Sequence, residues 1–514
     1  MELCDKYLHD SIKLYPPFND SIDIEKFHNK KNSLPNNYSN DFIKKNNDLD
    51  EKYYEILLKK NDKTFYDEIL FYEFKYNKKY YSFNDEYLLD INENILFFYY
   101  DKCFEKKIDY DMIMNRLTKL SSITNSMLEL LKKGLKNKIY INYLIIDNFI
   151  EKSNEILSKN NNFNHIPKNI RFKFKKLVNK YLIINIKKLY EFIINYYIKY
   201  SNKNIGLYTY TNGLKYYENL CKYNTISNLT PEIIHNLGLK YLKQDLLLKK
   251  QLQKKLKIKD IDDYVYKNNK FYSNKNEILN DLKNHRKILY KKLDKYFLND
   301  IKELYDIKPI NEIEENEYAY YTSPTKKNKG TFYINVLNPE KISKYELLTL
   351  SIHEGIPGHH YENELLINSD KPDFIKDSLY SGYSEGWAFY CESLYKYNND
   401  FEYYYSLQYK VERSLRLIID TGIHYYKWNF DKCFTYMKKY LKYYPDEYIK
   451  DQILRYSCIP GQALTYKIGE QVILHLKKDF LKKNNNIKSF HKIILDIGPC
   501  PLDLLIKRFY EIIL

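Results

Sequence analysis

The segment Ser351-Ile352-His353-Glu354-Gly355-Ile356-Pro357-Gly358-His359-His360 sets an adjacent His-Glu pair a few residues ahead of two more histidines. Downstream, Ser384-Glu385-Gly386-Trp387-Ala388 can supply a further carboxylate. Imidazoles and carboxylates in this combination suit a hydrolytic zinc site. Such a site takes three protein ligands and keeps one position for a water whose pKa falls to roughly 7. In the HExxH arrangement two histidines one helical turn apart bind the metal, and the intervening Glu accepts the water proton. This chain breaks that spacing, because the fourth residue after His353 is Pro357, which cannot bind a metal. On a straight helix His359 points about 120° away from His353, while His360 shares its face about 10 Å along the axis. The backbone must therefore distort. Pro357 removes a helical hydrogen bond and Gly358 accepts angles other residues resist, so a kink there is expected. His353 and His359 are the expected ligands, with His360 the alternative to His359.

The third ligand is expected from a helix over Tyr383 to Glu392, on which Glu385 and Glu392 lie two turns apart on one face. Glu385 is assigned to the metal and Glu392 to orienting a ligand histidine from behind. Taken alone, either would more often be an ordinary surface glutamate.

The elements that must position these groups are mostly helical. Residues 1–50 are rich in Asn and Lys with isolated apolar anchors, which predicts short helices and loops. From Glu51 to Tyr200 the apolar spacing is helical, as at Tyr54, Ile56, Leu57 and Leu58 and at Leu128, Leu130, Leu131 and Leu135. A turn is predicted at Tyr208 to Gly213. Thr230-Pro231 then opens a helix through Leu242. Nine of 13 glycines and six of 11 histidines fall at or after Gly330, where demanding backbone geometry is expected. The boundary is placed near residue 300, giving an N-terminal helical lobe over 1–300 and a catalytic lobe over 301–514. One strand is predicted at Gly330 to Val336. Ser343-Lys344-Tyr345-Glu346 reads as a capping box, starting a buried helix that runs through Leu347, Leu350 and Ile352 into His353.

At 514 residues the chain exceeds one ordinary core, so two or more packed subdomains are expected. Met1-Glu2-Leu3-Cys4-Asp5-Lys6 leads directly into polar sequence, with no export leader in its pattern. No window approaches the roughly 20 apolar residues of a membrane helix. Seven scattered cysteines, none in a CxxC pair, fit free thiols in a reducing compartment. A cytoplasmic location is the expectation. The formal charge of +16 comes almost wholly from lysine, with only seven arginines. Joint enrichment of Lys, Asn, Ile and Tyr is what AT-rich codon usage produces, so a solvated lysine-rich surface is preferred to a polyanion site.

His353 to Glu362, followed by Glu385-Gly386-Trp387-Ala388, resembles the zincin-like family catalogued as domain of unknown function 885, whose hallmark is HExxPGHHxQ followed by EGWA. The likeness extends to Ala319-Tyr320-Tyr321 with Gly330 to Asn335, to Leu415 through His424, and to Arg455-Tyr456 with Pro460 through Gly469. The resemblance implies a mostly α, two-lobed helical zincin of gluzincin type, with a small β-element beside the active-site helix and a long cleft between lobes. It is similar in this to thimet oligopeptidase and carboxypeptidase Taq. Two departures stand out: Glu362 replaces the usual Gln, and the early Met-Pro-Leu-Asn motif survives only loosely at Met112-Ile113-Met114-Asn115.

Amide hydrolysis then assigns roles. Glu354 takes the proton of the attacking water and passes it to the leaving amine. His424, Tyr456 and Tyr466, from family-matching segments, are candidate donors to the oxyanion, with His424 and Tyr466 named as catalytic. Arg413, Arg416 and Arg455 are three of the seven arginines; a guanidinium there can bind a peptide carboxylate, or pair structurally with Glu412 or Asp420. Arg416, Arg455 and Tyr456 are the expected substrate-binding residues. The strand at Thr331 to Val336 can offer its edge to an extended peptide. The expectation is a peptidase with one Zn2+, monomeric or a homodimer, acting on small or unfolded peptides, with no specific nucleic-acid or membrane partner. An inactive zincin scaffold for protein binding and a polyanion-binding protein are the alternatives.

Overall fold

The structure, a computed structural model, describes residues 2–15, 34–78, 87–105, 109–159, 162–310, 318–325, 328–378 and 380–514. Helices dominate, joined by a single small sheet among the described residues. Within the first fifty residues, Leu3–Leu14 and Asn40–Lys59 are helical, the second running 20 residues from a Ser39 cap. The expected loops over 16–33 lie outside the described residues.

The chain divides into two compact units after Gly213. The described residues of the first form helices and no strand, and its core is built from amphipathic faces. In Leu120–Lys136 the buried positions Leu120, Ile123, Thr124, Met127, Leu128, Leu130, Leu131 and Gly134 recur mainly at three- and four-residue steps.

The second unit, Leu214 to Leu514, therefore begins well before residue 300. The reason is packing: the Pro231–Lys255 helix lies directly on the Asp400–His424 helix, with Gly238 against Leu417 and Ile418. Glycine usage marks the tight geometry around the site and not the edge of the unit. Thr230 caps the Pro231–Lys255 helix by accepting from Ile233 N, as predicted. It continues past Leu242 to Lys255 because no Gly or Pro interrupts that stretch. Asp400–His424, capped by Asn399, is buried almost all round from Glu402 onward, which makes it the central helix of this unit.

Three short strands form the sheet: β1 (Asp306–Pro309), β2 (Ala319–Thr322) and β3 (Thr331–Ile334), in the order β1-β3-β2. β3 is parallel to β1 and antiparallel to β2. It buries Phe332 and Ile334, while Tyr333 stacks on Tyr320 at 4.9 Å. The predicted strand is real but central. Both its backbone edges are filled by neighbours, so it has no edge to offer a peptide.

The capping box at Ser343 is not formed. Ser343 Oγ donates to Asn269, and the Glu346 carboxylate accepts from Tyr318 Oη and Tyr409 Oη. Tertiary partners take both side chains, and the helix starts only at Leu347. All seven cysteines are free thiols. Among the described residues no helix is long and apolar enough to cross a membrane.

Candidate metal centre

The site begins on a buried α-helical turn, Leu347–Leu350, that widens into a π-helical turn over Ser351–Gly355. Such wide turns relax the i to i−4 ladder and re-aim side chains, and they are frequent at functional sites. The helix then breaks over 356–358 and a new one, His359–Ile367, begins at the second histidine. Gly358 N donates to Ile352 O at 3.0 Å, and a Cβ on Gly358 would fall 1.9 Å from His353 O. Only glycine fits that return. The break is pinned from outside, since Trp387 Nε1 donates to Pro357 O at 2.9 Å.

Trp387 belongs to the Ser381–Cys391 helix, which carries Glu385. That helix crosses Thr465–Lys483 glycine on glycine: a Cβ on Gly386 would lie 2.5 Å from Gly469 Cα. The two backbones touch, which brings Glu385 down to the level of the histidines.

Here His353, His359 and Glu385 converge, with one ligand atom of each within 4.8 Å of the others. Glu385 Oε2 stands 3.4 Å from His353 Nε2 and 3.5 Å from His359 Nε2, buried and without a hydrogen-bond partner. Those separations are long for charge-assisted hydrogen bonds. They match the edge of a tetrahedron whose corners lie about 2.0–2.1 Å from a central zinc, which is about 3.4 Å. The donor set and spacing fit a divalent ion. The second imidazole to meet Glu385 is that of His359. His360 points elsewhere, donating from Nε2 to Glu303 O at 2.9 Å and accepting at Nδ1 from Tyr321 Oη at 2.9 Å.

Each of these two histidines is held from behind. His353 Nδ1 lies 2.8 Å from Glu392 Oε1. His359 Nδ1 meets Ser384 Oγ at 3.3 Å, and the same hydroxyl donates to Glu362 Oε2 at 2.9 Å. Burial opposes charge on His353, yet Glu385 and Glu392 outweigh it and hold the imidazole up to about 10. His359 is likewise raised against burial by Glu385. Burial works against ionised Glu385 too, but the two imidazoles bring it well below the usual carboxylate range. Glu354, raised chiefly by burial, feels His353, His359, Glu385 and Arg413.

Tyr466 also reaches this region, its ring 6.5 Å from that of His353 and nearly parallel at 16°. Arg455 Nη2 donates to Tyr466 Oη at 3.0 Å and to Gln462 at 2.8 Å. Arg416 stacks over Tyr466 at 4.3 Å and donates to Glu412 at 2.7 Å, while Arg413 lies 3.7 Å from Glu412. Asp420 is not an arginine partner; it accepts from Tyr217 Oη and Gly461 N. Two expected residues are employed elsewhere. His424 is fully buried, donates from Nε2 to Tyr456 O at 2.8 Å and is held down to about 4 by burial, so it is a packed core residue. Tyr456 is buried and its hydroxyl donates to Gln452 at 3.2 Å. Sequence reasoning missed Ser384, Tyr305 and Tyr321. Tyr305 is buried against Gly355 with an unpaired hydroxyl, and Tyr321 anchors His360. With 58 tyrosines in the chain, spacing gave no signal for these two.

The family described as "Bacterial protein of unknown function (DUF885)" matches residues 37–508. Two solved structures, each described as a "putative lipoprotein", share the fold. One, from Colwellia psychrerythraea, has a TM-score of 0.86 at 18% identity, covering 99% of this chain and 98% of that one. The other, from Shewanella oneidensis and of unknown function, has a TM-score of 0.74 at 13% identity, covering 99% of each chain. No curated protein matches significantly.

Proposed function

This chain belongs to the DUF885 family, and on that premise we propose that it is a zinc-dependent peptidase of zincin type, hydrolysing small or unfolded peptides inside a cell. One observation carries the reading: a buried, unpaired carboxylate oxygen stands 3.4 and 3.5 Å from two imidazole nitrogens, at the spacing of ligands around a shared ion. His353, His359 and Glu385 would hold the zinc, which when bound supplies a Lewis acid and an acidified water.

The chain's own residues divide the remaining work. Glu354 accepts a proton from the attacking water and returns it to the leaving amine, so that the C–N bond breaks as a C–O bond forms. Because Arg455 already donates to Tyr466 Oη, the phenolic proton of Tyr466 is free to donate to the substrate carbonyl oxygen as negative charge grows there. Glu392 and the Ser384–Glu362 pair hold the imidazoles in their tautomers and orientations.

Comparison of the native protein with Glu354→Gln on a mixed peptide library tests this. Zinc measured by elemental analysis is expected at one per chain in both, with turnover falling roughly a hundredfold or more in the variant. Absence of zinc from both would remove the reading in favour of a catalytically inactive scaffold, and equal turnover would remove Glu354 from the mechanism.

A further inference from the structure

Arg413 and Arg416 lie on consecutive turns of the Asp400–His424 helix, with side chains only 10% and 6% exposed. With Arg455 they surround Tyr466, the three guanidiniums standing 5.8, 4.3 and 5.9 Å from its ring. Among the described residues Arg413 and Arg416 are ion-paired with one carboxylate, that of Glu412, whose Oε2 is itself buried without a hydrogen-bond partner. Three guanidinium atoms, Arg413 Nε, Arg416 Nε and Arg416 Nη1, are buried with no hydrogen-bond partner. Buried donors are nearly always paired, and charged ones without an acceptor are the costliest to keep. Excess positive charge and unfilled donors point to a missing anion.

Its place relative to the metal centre is defined. Tyr466 lies 6.5 Å from the His353 ring and 4.3 Å from the Arg416 guanidinium, so that guanidinium is no more than about 11 Å from His353. An extended peptide covers at most about 3.3–3.6 Å per residue, so the gap holds up to about three residues. Guanidinium suits a carboxylate by its planar array of N–H donors, which an ammonium does not reproduce.

We propose that Arg413 and Arg416, over the face of Tyr466, form a carboxylate subsite that seats the free C-terminus of a peptide, directing hydrolysis to the last few residues. The cleavage rests on the peptidase reading above; the binding does not.

The test measures binding to the Glu354→Gln protein, so that turnover is not required. Competition against a fluorescent peptide compares matched acetylated hexapeptides ending in a free acid or an amide, each with Glu or Gln inside. Free acids are expected to bind at least tenfold tighter than amides. Arg413→Lys and Arg416→Lys, checked for folding by circular dichroism and Tm, are expected to bring the pair close to parity. If either fails to fold, the acid-to-amide ratio of the parent decides. A preference that follows the internal Glu instead overturns the assignment to the C-terminus. Equal binding of all four peptides, no binding of any, or an unchanged preference in folded lysine variants overturns it. In the native protein, equal turnover of acids and amides would keep the peptidase and sink the subsite, whereas acid preference without turnover would do the reverse.

Discussion

The His353 ring is fixed at its far nitrogen by Glu392 and the His359 ring by Ser384, so each presents Nε2 to Glu385. Partners of this kind raise ligand basicity and set ring orientation, and their loss costs about 10–100-fold in metal affinity. Glu392→Gln is therefore expected to weaken zinc binding by about that factor in a chelator competition, with Ser384→Ala following in the same direction. Unchanged affinity in both would reduce these contacts to packing. Glu362 accepts from Ser384, and a Gln in its place would offer an acceptor oxygen as well. Either residue preserves the contact behind His359.

At the scale of elements, the height of Glu385 over the histidines is set by a crossing of two helices at Gly386 and Gly469, whose backbones leave no room for a Cβ. Valine at either position must push the helices apart. Gly386→Val is expected to lower stability in urea by about 1–3 kcal/mol, the usual cost of overpacking, and to weaken zinc binding in parallel as Glu385 moves. Native values for both would mean that the crossing does not position the site. This element shows how partial the reading of the chain can be. The Ser381–Cys391 helix, with Glu385 within it and Glu392 at its C-cap, is legible from i, i+7 spacing. The glycine contact was not, because its partner lies 83 positions on (469 less 386) and nothing local marks the pair.

For the whole molecule, buried histidines and a buried carboxyl set opposing responses to acid. Desolvation holds His360, His424 and His491 down to about 4, against 6.5 when unfolded. The unfolded chain then binds protons the folded one does not, so their contribution is present above pH 6.5 and is lost as pH falls toward 4. Asp420 works the other way: burial lifts it to about 7 from 3.8, so its share of stability is present at low pH and fades as pH rises toward 7. Asp420→Asn removes that counterweight. Urea midpoints are expected to fall more steeply between pH 6.5 and 4 in the variant than in the native protein. Parallel curves would show that Asp420 is ionised throughout.

Residue chemistry and local breaks were settled by the order of amino acids. Histidines, carboxylates and Pro-Gly sit within short stretches whose donor atoms and backbone limits are fixed by residue type, and helical periodicity follows from neighbours three and four apart. Folding decided which groups meet. Ser343 and Glu346 abandon a cap for partners from distant segments, β3 acquires a neighbour on each side, and residues 214–300 join the later unit. Of two adjacent histidines, the one that faces Glu385 is chosen by a π-turn and by Trp387 gripping Pro357. Hydrogen bonds and close packing between segments remote in the chain select among locally acceptable arrangements, and those contacts exist only once the chain has folded.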